Sequence, residues 1–212
     1  MTSSSQKIAL IIGATGLIGD QLTHKLCQSA YYERVKVLVR KPLGWQHPRL
    51  QEILFDFDRP NGLLTQADDL FCCLGTTMKK AGSKAAFRKV DYQYPMDIAR
   101  LGREQGATQF AIVTSMGADP GAMFYYNRVK GEVERDLSQL NYPTLLIFRP
   151  SLLLGKRSES RLGEGIMKAL NPLIPAKYKA IEASKVAEVM CLKAQAGLMG
   201  RHVFESDAIG RE

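Results

Sequence analysis

The sequence GATGLIG, residues 13–19, marks the first sharp change of pattern along the chain. The residues before it, 7–12, read KIALII, a continuous apolar run that is typical of a strand buried on both faces. The residues after it, 19–29, space their apolar side chains as an amphipathic helix does. Glycine recurs at every third position of the stretch, and glycine permits tight turns. The stretch therefore predicts a sharp turn that joins a buried strand to a helix.

The alternation of short apolar runs with longer amphipathic segments continues to the end of the chain. Strands are predicted at residues 7–12, 35–39, 52–56, 69–74, 109–114, 144–149 and 202–205. Helices are predicted at residues 19–29, 84–105, 122–140, 162–170 and 183–196. We therefore predict an α/β fold with a doubly wound, mostly parallel, Rossmann-like sheet flanked by helices. Without an internal repeat or linker, residues 1–212 are expected to form one domain, with 151–180 as a small C-terminal substrate cap.

The three glycines of the turn are Gly13, Gly16 and Gly19. In this position glycines let backbone N–H groups approach a pyrophosphate at the positive end of a helix, and the last glycine permits close helix–strand packing. Their spacing differs from the GxGxxG of the common dinucleotide fingerprint, and a plain strand-to-helix turn is the alternative. The strand before the turn and the helix after it favour a dinucleotide-binding site.

The end of the second predicted strand indicates which dinucleotide is bound. An acidic residue about twenty positions after the glycines usually bonds the ribose 2′-hydroxyl of NAD. Here VKVLVRKP places Arg40 and Lys41 at that point, and a cation suits the 2′-phosphate of NADP. NADP(H) is therefore predicted over NAD(H), although Arg40 could instead face solvent at a strand end. After the third strand, Asp56 and Phe57 are candidates for the edge and face of the adenine.

The stretch YYNRVKGEVE, residues 125–134, carries an acid–base pattern. Tyr126 and Lys130 are four apart and share a helix face, while Ser115 follows the fifth predicted strand at the ligand-binding edge of the sheet. Reduction of a carbonyl by hydride needs a proton donor, and a phenol with an ordinary pKa of about 10 is a better one beside an ammonium. The alternative is a surface lysine, a half-buried tyrosine and a turn-capping serine. Tyr125, five residues from Lys130, would point to a different face.

Seven motifs occur in an order that is known from one family: GATGLIG, VLVRKP, CCLGTT, VDYQYP, VTSMGAD, YYNRVKGEVE and FRPSLLLG. Over nearly its whole length the chain resembles the atypical short-chain dehydrogenases/reductases, which bind NAD(P) on a Rossmann fold. It is most similar to their HIV Tat-interacting protein-like branch and its bacterial relatives. The combination of TSMGAD with YNRVKGEVE is the most specific part of the resemblance.

The resemblance implies a role for each matching residue. The cofactor phosphates would be held by Gly13, Thr15, Gly16, Leu17 and Ile18. Arg40 would contact the 2′-phosphate, and Asp56 and Phe57 would contact the adenine. The ribose region would lie against Leu74, Gly75 and Thr76, and the nicotinamide would lie beside Pro150 and Ser151. The catalytic residues would be Ser115, Tyr126 and Lys130. The fourth member of the family's proton relay, often an asparagine, is not obvious, although Asp91 lies in roughly the right region.

Composition narrows the classes of function. The net charge is +8, but the basic residues are interleaved with acidic ones. This pattern indicates a solvated surface, or attraction of a polyanionic cofactor, more than a nucleic-acid-binding surface. The four cysteines and three histidines show no ligand spacing, so we predict reduced thiols and no metal site. Lacking a signal peptide or an apolar run that could cross a bilayer, the chain is predicted to be cytoplasmic, with no membrane association.

We therefore predict an NADP(H)-dependent oxidoreductase that interconverts a small carbonyl compound and its alcohol. The cap offers apolar residues and the cations Lys156, Arg157 and Arg161, which suit a small apolar or acidic substrate, or else pack under the lid and face solvent. The alternative function is a non-catalytic NADP(H)-sensing regulator that acts through a protein partner. A full set of Ser115, Tyr126 and Lys130 favours the enzyme, because a sensor needs no proton donor.

Overall fold

A computed structural model of the chain describes residues 7–154 and 179–212. The strands are β1 (Lys7–Ile12), β2 (Tyr32–Val39), β3 (Leu50–Leu54), β4 (Asp69–Cys72), β5 (Gln109–Val113), β6 (Thr144–Arg149), β7 (Leu153–Leu154), β8 (Ile181–Glu182) and β9 (Gly200–Glu205). The α-helices are α1 (Leu17–Gln28), α2 (Met78–Ala81), α3 (Lys84–Arg88), α4 (Tyr94–Glu104), α5 (Tyr125–Leu137), α6 (Ala183–Ala194) and α7 (Ser206–Arg211). Two 3₁₀ turns, Gly62–Thr65 and Ser138–Leu140, and a π-helical turn, Lys89–Gln93, complete the elements of the described ranges.

Within the described residues, seven strands form one sheet in the order β3-β2-β1-β4-β5-β6-β9, and every neighbouring pair is parallel. The strand order reverses between β1 and β4, which is the switch point where open α/β sheets bind their ligands. The predicted doubly wound, Rossmann-like fold is confirmed.

Strand β1 is buried on both faces, which explains the unbroken apolar run in its sequence. Ala9 and Ile11 pack into the core under α1 and α6, whereas Leu10 and Ile12 pack into the core under α4 and α5. All four residues are at most 1% exposed. A strand covered on both faces has no polar side, so it cannot show the alternation of a half-exposed strand.

The predicted helix 84–105 is not one regular helix. The π-helical turn Lys89–Gln93 separates α3 from α4 and turns the side chain of Asp91 into the interior. Pro95 supplies a physical reason, because it has no N–H to donate to the carbonyl of Asp91, four residues earlier. Turns of this kind often occur at functional sites.

Other differences lie at the ends of elements. Strands β4 and β5 end before the predicted boundaries, and Cys73, Leu74 and Thr114 become part of the site described below. Helix α7, which the periodicity did not indicate, packs on α6 at the end of the chain. The proposed cap is flanked by the short parallel pair β7–β8. Most of the range 151–180, including the predicted helix 162–170, lies outside the described residues.

Candidate active site

The glycine turn after β1 is shaped by two very close approaches of the backbone. Gly13 has φ +85°, and a Cβ there would lie 2.5 Å from the carbonyl carbon of Cys73. A Cβ on Gly19 would lie 2.1 Å from the carbonyl oxygen of Gly13. Helix α1 starts with Gly16 at its N-cap, without a side-chain capping bond, so the first-turn N–H groups are available to an anion. The turn therefore fits a phosphate.

Two cavities adjoin at the carboxyl ends of β1 and β4, where Leu74 contributes to both. The Arg40 cavity has a volume of about 540 Å³ and is lined by Gly13, Ala14, Thr15, Leu38, Val39, Arg40, Lys41, Phe57 and Leu74. The Tyr126 cavity has a volume of about 230 Å³. It is lined by Gly16, Leu17, Ile18, Cys73, Leu74, Gly75, Thr76, Thr77, Lys80, Asp91, Val113, Thr114, Tyr126, Lys130 and Leu153.

Most of the residues predicted for the site therefore line one of the two cavities. Asp56 lines neither of them, and its carboxylate oxygen Oδ1 accepts a bond from the N–H of Asp58 at 2.9 Å. Gly19 lies beneath the turn, where its lack of a side chain admits the carbonyl of Gly13. Phe57 lines the Arg40 cavity and packs against Tyr94, with ring centroids 5.3 Å apart.

Pro150 and Ser151, predicted beside the nicotinamide, line neither cavity. The carbonyl of Pro150 accepts a bond from the N–H of Met116 at 3.0 Å. The hydroxyl of Ser151 donates to the carbonyl of Lys179 and accepts from the hydroxyl of Ser206. These bonds hold the start of the segment in place, and the next strand, β7, brings a leucine to the Tyr126 cavity instead.

Tyr126 and Lys130 both line the Tyr126 cavity, as their spacing on α5 predicts. Ser115 is not part of its lining, although Thr114 next to it is. The hydroxyl oxygen of Ser115 is buried and has no hydrogen-bond partner among the described residues. The hydroxyl of Thr114 instead donates to Glu134 at 2.6 Å. Of these two neighbouring hydroxyls, that of Ser115 thus retains its full hydrogen-bonding capacity.

Lys130 forms a buried ion pair with Asp91. The ammonium nitrogen Nζ lies 2.8 Å from the carboxylate oxygen Oδ1, and the side chains are 5% and 0% exposed. Burial alone would lower the pKa of Lys130, but the charge of Asp91, aided by Tyr126, outweighs it and raises that pKa above its ordinary value. Lys130 is therefore an ammonium at neutral pH. The other oxygen of Asp91, Oδ2, accepts a bond from the N–H of Thr76 at 3.0 Å.

A second buried network supports α5 from behind the cavity, and the sequence analysis missed it. Glu134, four residues after Lys130, receives bonds from Thr114 and from the guanidinium of Arg149. Arg149 also pairs with Glu205 at 2.9 Å. The spacing of residues 126, 130 and 134 places a phenol, an ammonium and a carboxylate in a row on one helix face, a pattern that could have revealed the network.

The loop after Ser115 is fastened to the start of α5. The side-chain amide of Asn127 donates to the carbonyls of Met116, at 3.2 Å, and Gly117, at 2.9 Å. The N–H of Asp119 donates to the carbonyl of Asn127 at 3.2 Å. Asn127 follows Tyr126 in the chain, so these bonds link the backbone beside the phenol to the backbone beside the serine.

Other kinds of site find little support in the described ranges. No group of three or more His, Cys, Asp and Glu residues in 7–154 and 179–212 could hold a metal ion. No helix in the same ranges is long and apolar enough to span a bilayer.

Comparison with solved structures shows which known proteins share this fold. MoeE5 in complex with UDP-glucose and NAD superimposes with a TM-score of 0.72 at 16% identity, covering 92% of this chain and 74% of that chain. The Bordetella bronchiseptica enzyme WbmG in complex with NAD gives a TM-score of 0.71 at 15% identity, covering 100% of this chain and 77% of that one. These likenesses concern the fold, which is that of NAD-binding Rossmann proteins.

Sequence relatives define the class and then the family. Protein HTATIP2 of Rattus norvegicus is 32% identical over 190 residues, covering 87% of this chain and 78% of its own. The mitochondrial protein FMP52 of Candida albicans is 31% identical over 203 residues, covering 90% of this chain and 89% of its own. With the fold, this similarity makes the chain an atypical short-chain dehydrogenase/reductase of the HTATIP2 branch. The HIM1 family model matches residues 52–180, more than half of the chain, which therefore belongs to the HIM1 family.

The prediction of a cytoplasmic location is contradicted by these relatives. The FMP52 proteins of Candida albicans and Saccharomyces cerevisiae, among others, are named mitochondrial. The prediction rested on the lack of a secretory signal and of a membrane-spanning run. Neither feature distinguishes the cytosol from the mitochondrion, so the inference went further than its physical basis.

Proposed function

We propose that this protein is an NADP(H)-dependent oxidoreductase that interconverts a small carbonyl compound and its alcohol. The observation that carries the proposal is that Tyr126 and Lys130 line the same cavity as Gly16 of the glycine turn. An acid–base pair and a phosphate-binding turn thus open onto one space. Membership of the short-chain dehydrogenase/reductase class supports the same reading.

The residues of the two cavities fit a nicotinamide dinucleotide. Gly13 and Gly16 have no side chain to block backbone contact with the phosphates, and a Cβ on Gly13 would in any case collide with Cys73. The Arg40 cavity would receive the adenosine half and the Tyr126 cavity the nicotinamide half. MoeE5 and WbmG, which share the fold, are in complex with NAD. Arg40 and Lys41 favour the 2′-phosphate of NADP over the bare hydroxyl of NAD.

When bound, the cofactor would supply or accept the hydride. Tyr126 would donate a proton to the substrate oxygen during reduction and take it back during oxidation. The ammonium of Lys130 would stabilise negative charge on the phenol oxygen as that proton leaves. Ser115 adjoins Thr114 of the cavity lining, and its hydroxyl, unpartnered among the described residues, would turn toward the cavity and bond the same substrate oxygen.

The test is consumption of NADPH by the purified protein with a panel of aldehydes, ketones and quinones. We expect turnover of at least one class of compound. If NADPH binds tightly but no member of a broad panel is reduced, the oxidoreductase proposal fails. An NADP(H)-sensing module that acts through a protein partner would then be the better hypothesis.

Replacing Arg40 with alanine is expected to weaken NADPH binding about tenfold and to leave NADH binding nearly unchanged, because only NADPH carries the phosphate that Arg40 would contact. Trp45, the single tryptophan, lies on the loop after Arg40 and stacks on His24. Its emission overlaps the absorption of the reduced nicotinamide, so energy transfer reports binding. Arg34→Ala, at an exposed arginine near the other end of β2, is the control. Equal weakening of both cofactors by Arg40→Ala would rule out the phosphate contact.

Replacing Asn127 with alanine is expected to lower kcat with little effect on NADPH affinity. The loss of its two bonds to Met116 and Gly117 frees the backbone beside Ser115 but leaves both cavities intact. If Asn127 acts by placing Ser115, the same change in a Ser115→Ala background should cost no further activity. Additive losses in this double-mutant cycle would contradict the prediction. Thermal unfolding of all variants shows whether the fold is retained.

A further inference from the structure

Asp91 joins two parts of the site that the chain supplies separately. It lies in the π-helical turn, and its side chain is fully buried. One carboxylate oxygen lies 2.8 Å from the ammonium of Lys130, and the other accepts the N–H of Thr76. Thr76 belongs to the segment that lines the cavity after β4. A single carboxylate thus contacts both the acid–base helix and the loop that faces the cofactor site.

The charge of Lys130 depends on what surrounds it. A buried ammonium without a counter-ion is strongly disfavoured and tends to lose its proton. Among the described residues, the titratable groups that act most on Lys130 are Asp91 from the π-helical turn, Tyr126 from its own helix and Cys72 from β4. Lys80 of α2 lines the same cavity. Burial raises the pKa of Cys72 to about 12, so this thiol is uncharged at neutral pH. Glu134, farther along α5, is already paired with Arg149.

We propose that Asp91 is a positioning residue that holds Lys130 charged beside Tyr126 and couples that charge to the backbone at Thr76. Its catalytic consequence rests on the proposed function, but its effect on Lys130 does not. An asparagine at this position would keep an acceptor for the N–H of Thr76 and lose the charge. The change Asp91→Asn therefore separates the two contacts.

The proposal predicts a reversal in how stability depends on pH. In the native protein the pKa of Lys130 lies above its unfolded value, so its contribution is complete below about pH 10 and is lost only as pH rises through the folded pKa. In Asp91→Asn, burial remains without its counter-charge, and the pKa of Lys130 falls below the unfolded value. Between those two values the unfolded chain binds more protons, so stability increases as pH rises.

The experiment is urea unfolding of the full chain and of Asp91→Asn between pH 6 and 9.5. We expect the stability of Asp91→Asn to increase with pH relative to that of the native protein. The double variant Asp91→Asn/Lys130→Met should lose this difference, because it has no buried ammonium. If Asp91→Asn does not fold, the double variant should restore folding, since removing both charges leaves none unpaired. The proposal fails if the stability of Asp91→Asn depends on pH in the same way as that of the native protein. It also fails if Asp91→Asn is unfolded and the double variant is unfolded too.

A second arm tests the catalytic consequence once a substrate is known. In Asp91→Asn, kcat should fall about tenfold for each pH unit above the lowered pKa of Lys130, while the native rate holds over the same range. NADPH affinity, followed through Trp45, should be retained because the Thr76 contact remains. A loss of kcat by one constant factor at every pH would contradict the positioning role. Absence of turnover in the native protein would instead refute the proposed function and leave the unfolding result standing.

Discussion

The variant Tyr126→Phe is expected to reduce turnover by about 10²- to 10⁴-fold, because general acid–base catalysis typically contributes that much. The change removes one oxygen and leaves the ring packed against Phe87, with centroids 5.4 Å apart. The cavity walls stay in place, so NADPH affinity should change little. Steady-state kinetics with any compound that is turned over, together with the Trp45 binding signal, measure both quantities.

Tyr125→Phe is the matched control, since it removes the same oxygen from the preceding residue. The hydroxyl of Tyr125 donates to the carbonyl of Lys84 at 3.1 Å, and its residue does not line the Tyr126 cavity. We expect its turnover to stay within a few-fold of the native value. Equal losses in the two variants would show that Tyr126 acts through packing and not as the proton donor.

The variant Gly131→Ala is expected to destabilise the protein by about 3 kcal/mol, the upper end of the usual range for overpacking. A Cβ on Gly131 would lie 2.2 Å from the carbonyl carbon of Asp119 and 2.3 Å from the nitrogen of Pro120. These are backbone atoms, and the bond between Asp119 and Asn127 ties them to the same helix. The expected sign is opposite to the gain of about 1 kcal/mol that replacing a helical glycine with alanine usually brings.

Gly210→Ala provides the contrast. Gly210 also lies in a helix, α7, but a Cβ there would meet no atom within 4 Å among the described residues. We expect no loss of stability, or a small gain. Urea unfolding of the two variants gives the comparison directly. If Gly131→Ala unfolds at the native midpoint, the loop after Ser115 is not as close to α5 as described.

Local sequence patterns were sufficient to predict the sheet and much of the candidate site. The strands β1, β4, β5 and β6 carry apolar side chains on both faces, which is the sequence pattern expected of a sheet that is covered on both sides. Tyr126 and Lys130 were found from their spacing, because i and i+4 always share a helix face. The glycine turn was found from its position between a strand and a helix.

What could not be predicted depends on contacts between distant segments. The spacing of residues says nothing about Asp91 meeting Lys130, because an irregular turn brings the carboxylate inward. The bonds from Asn127 to Met116 and Gly117 arise only when a loop folds across a helix. The bond from the N–H of Asp58 to the carboxylate of Asp56 was not predicted either, and the assignment of Asp56 to the adenine stays a prediction.

The parallel sheet also has a consequence for how the chain folds. Every strand pair in it is parallel, and most of these pairings close a long crossover; such non-local contacts form slowly. The glycine turn needs β1 beside β4, and the register joins Ile12 to Cys72, sixty residues away. A dinucleotide bound at the proposed site would therefore recognise only chains whose central strands have already assembled. By mass action, about 2.7 kcal/mol of stabilisation would follow from a cofactor concentration one hundred times its Kd. Cellular supply of the dinucleotide would then govern how much of this protein escapes unfolding and proteolysis.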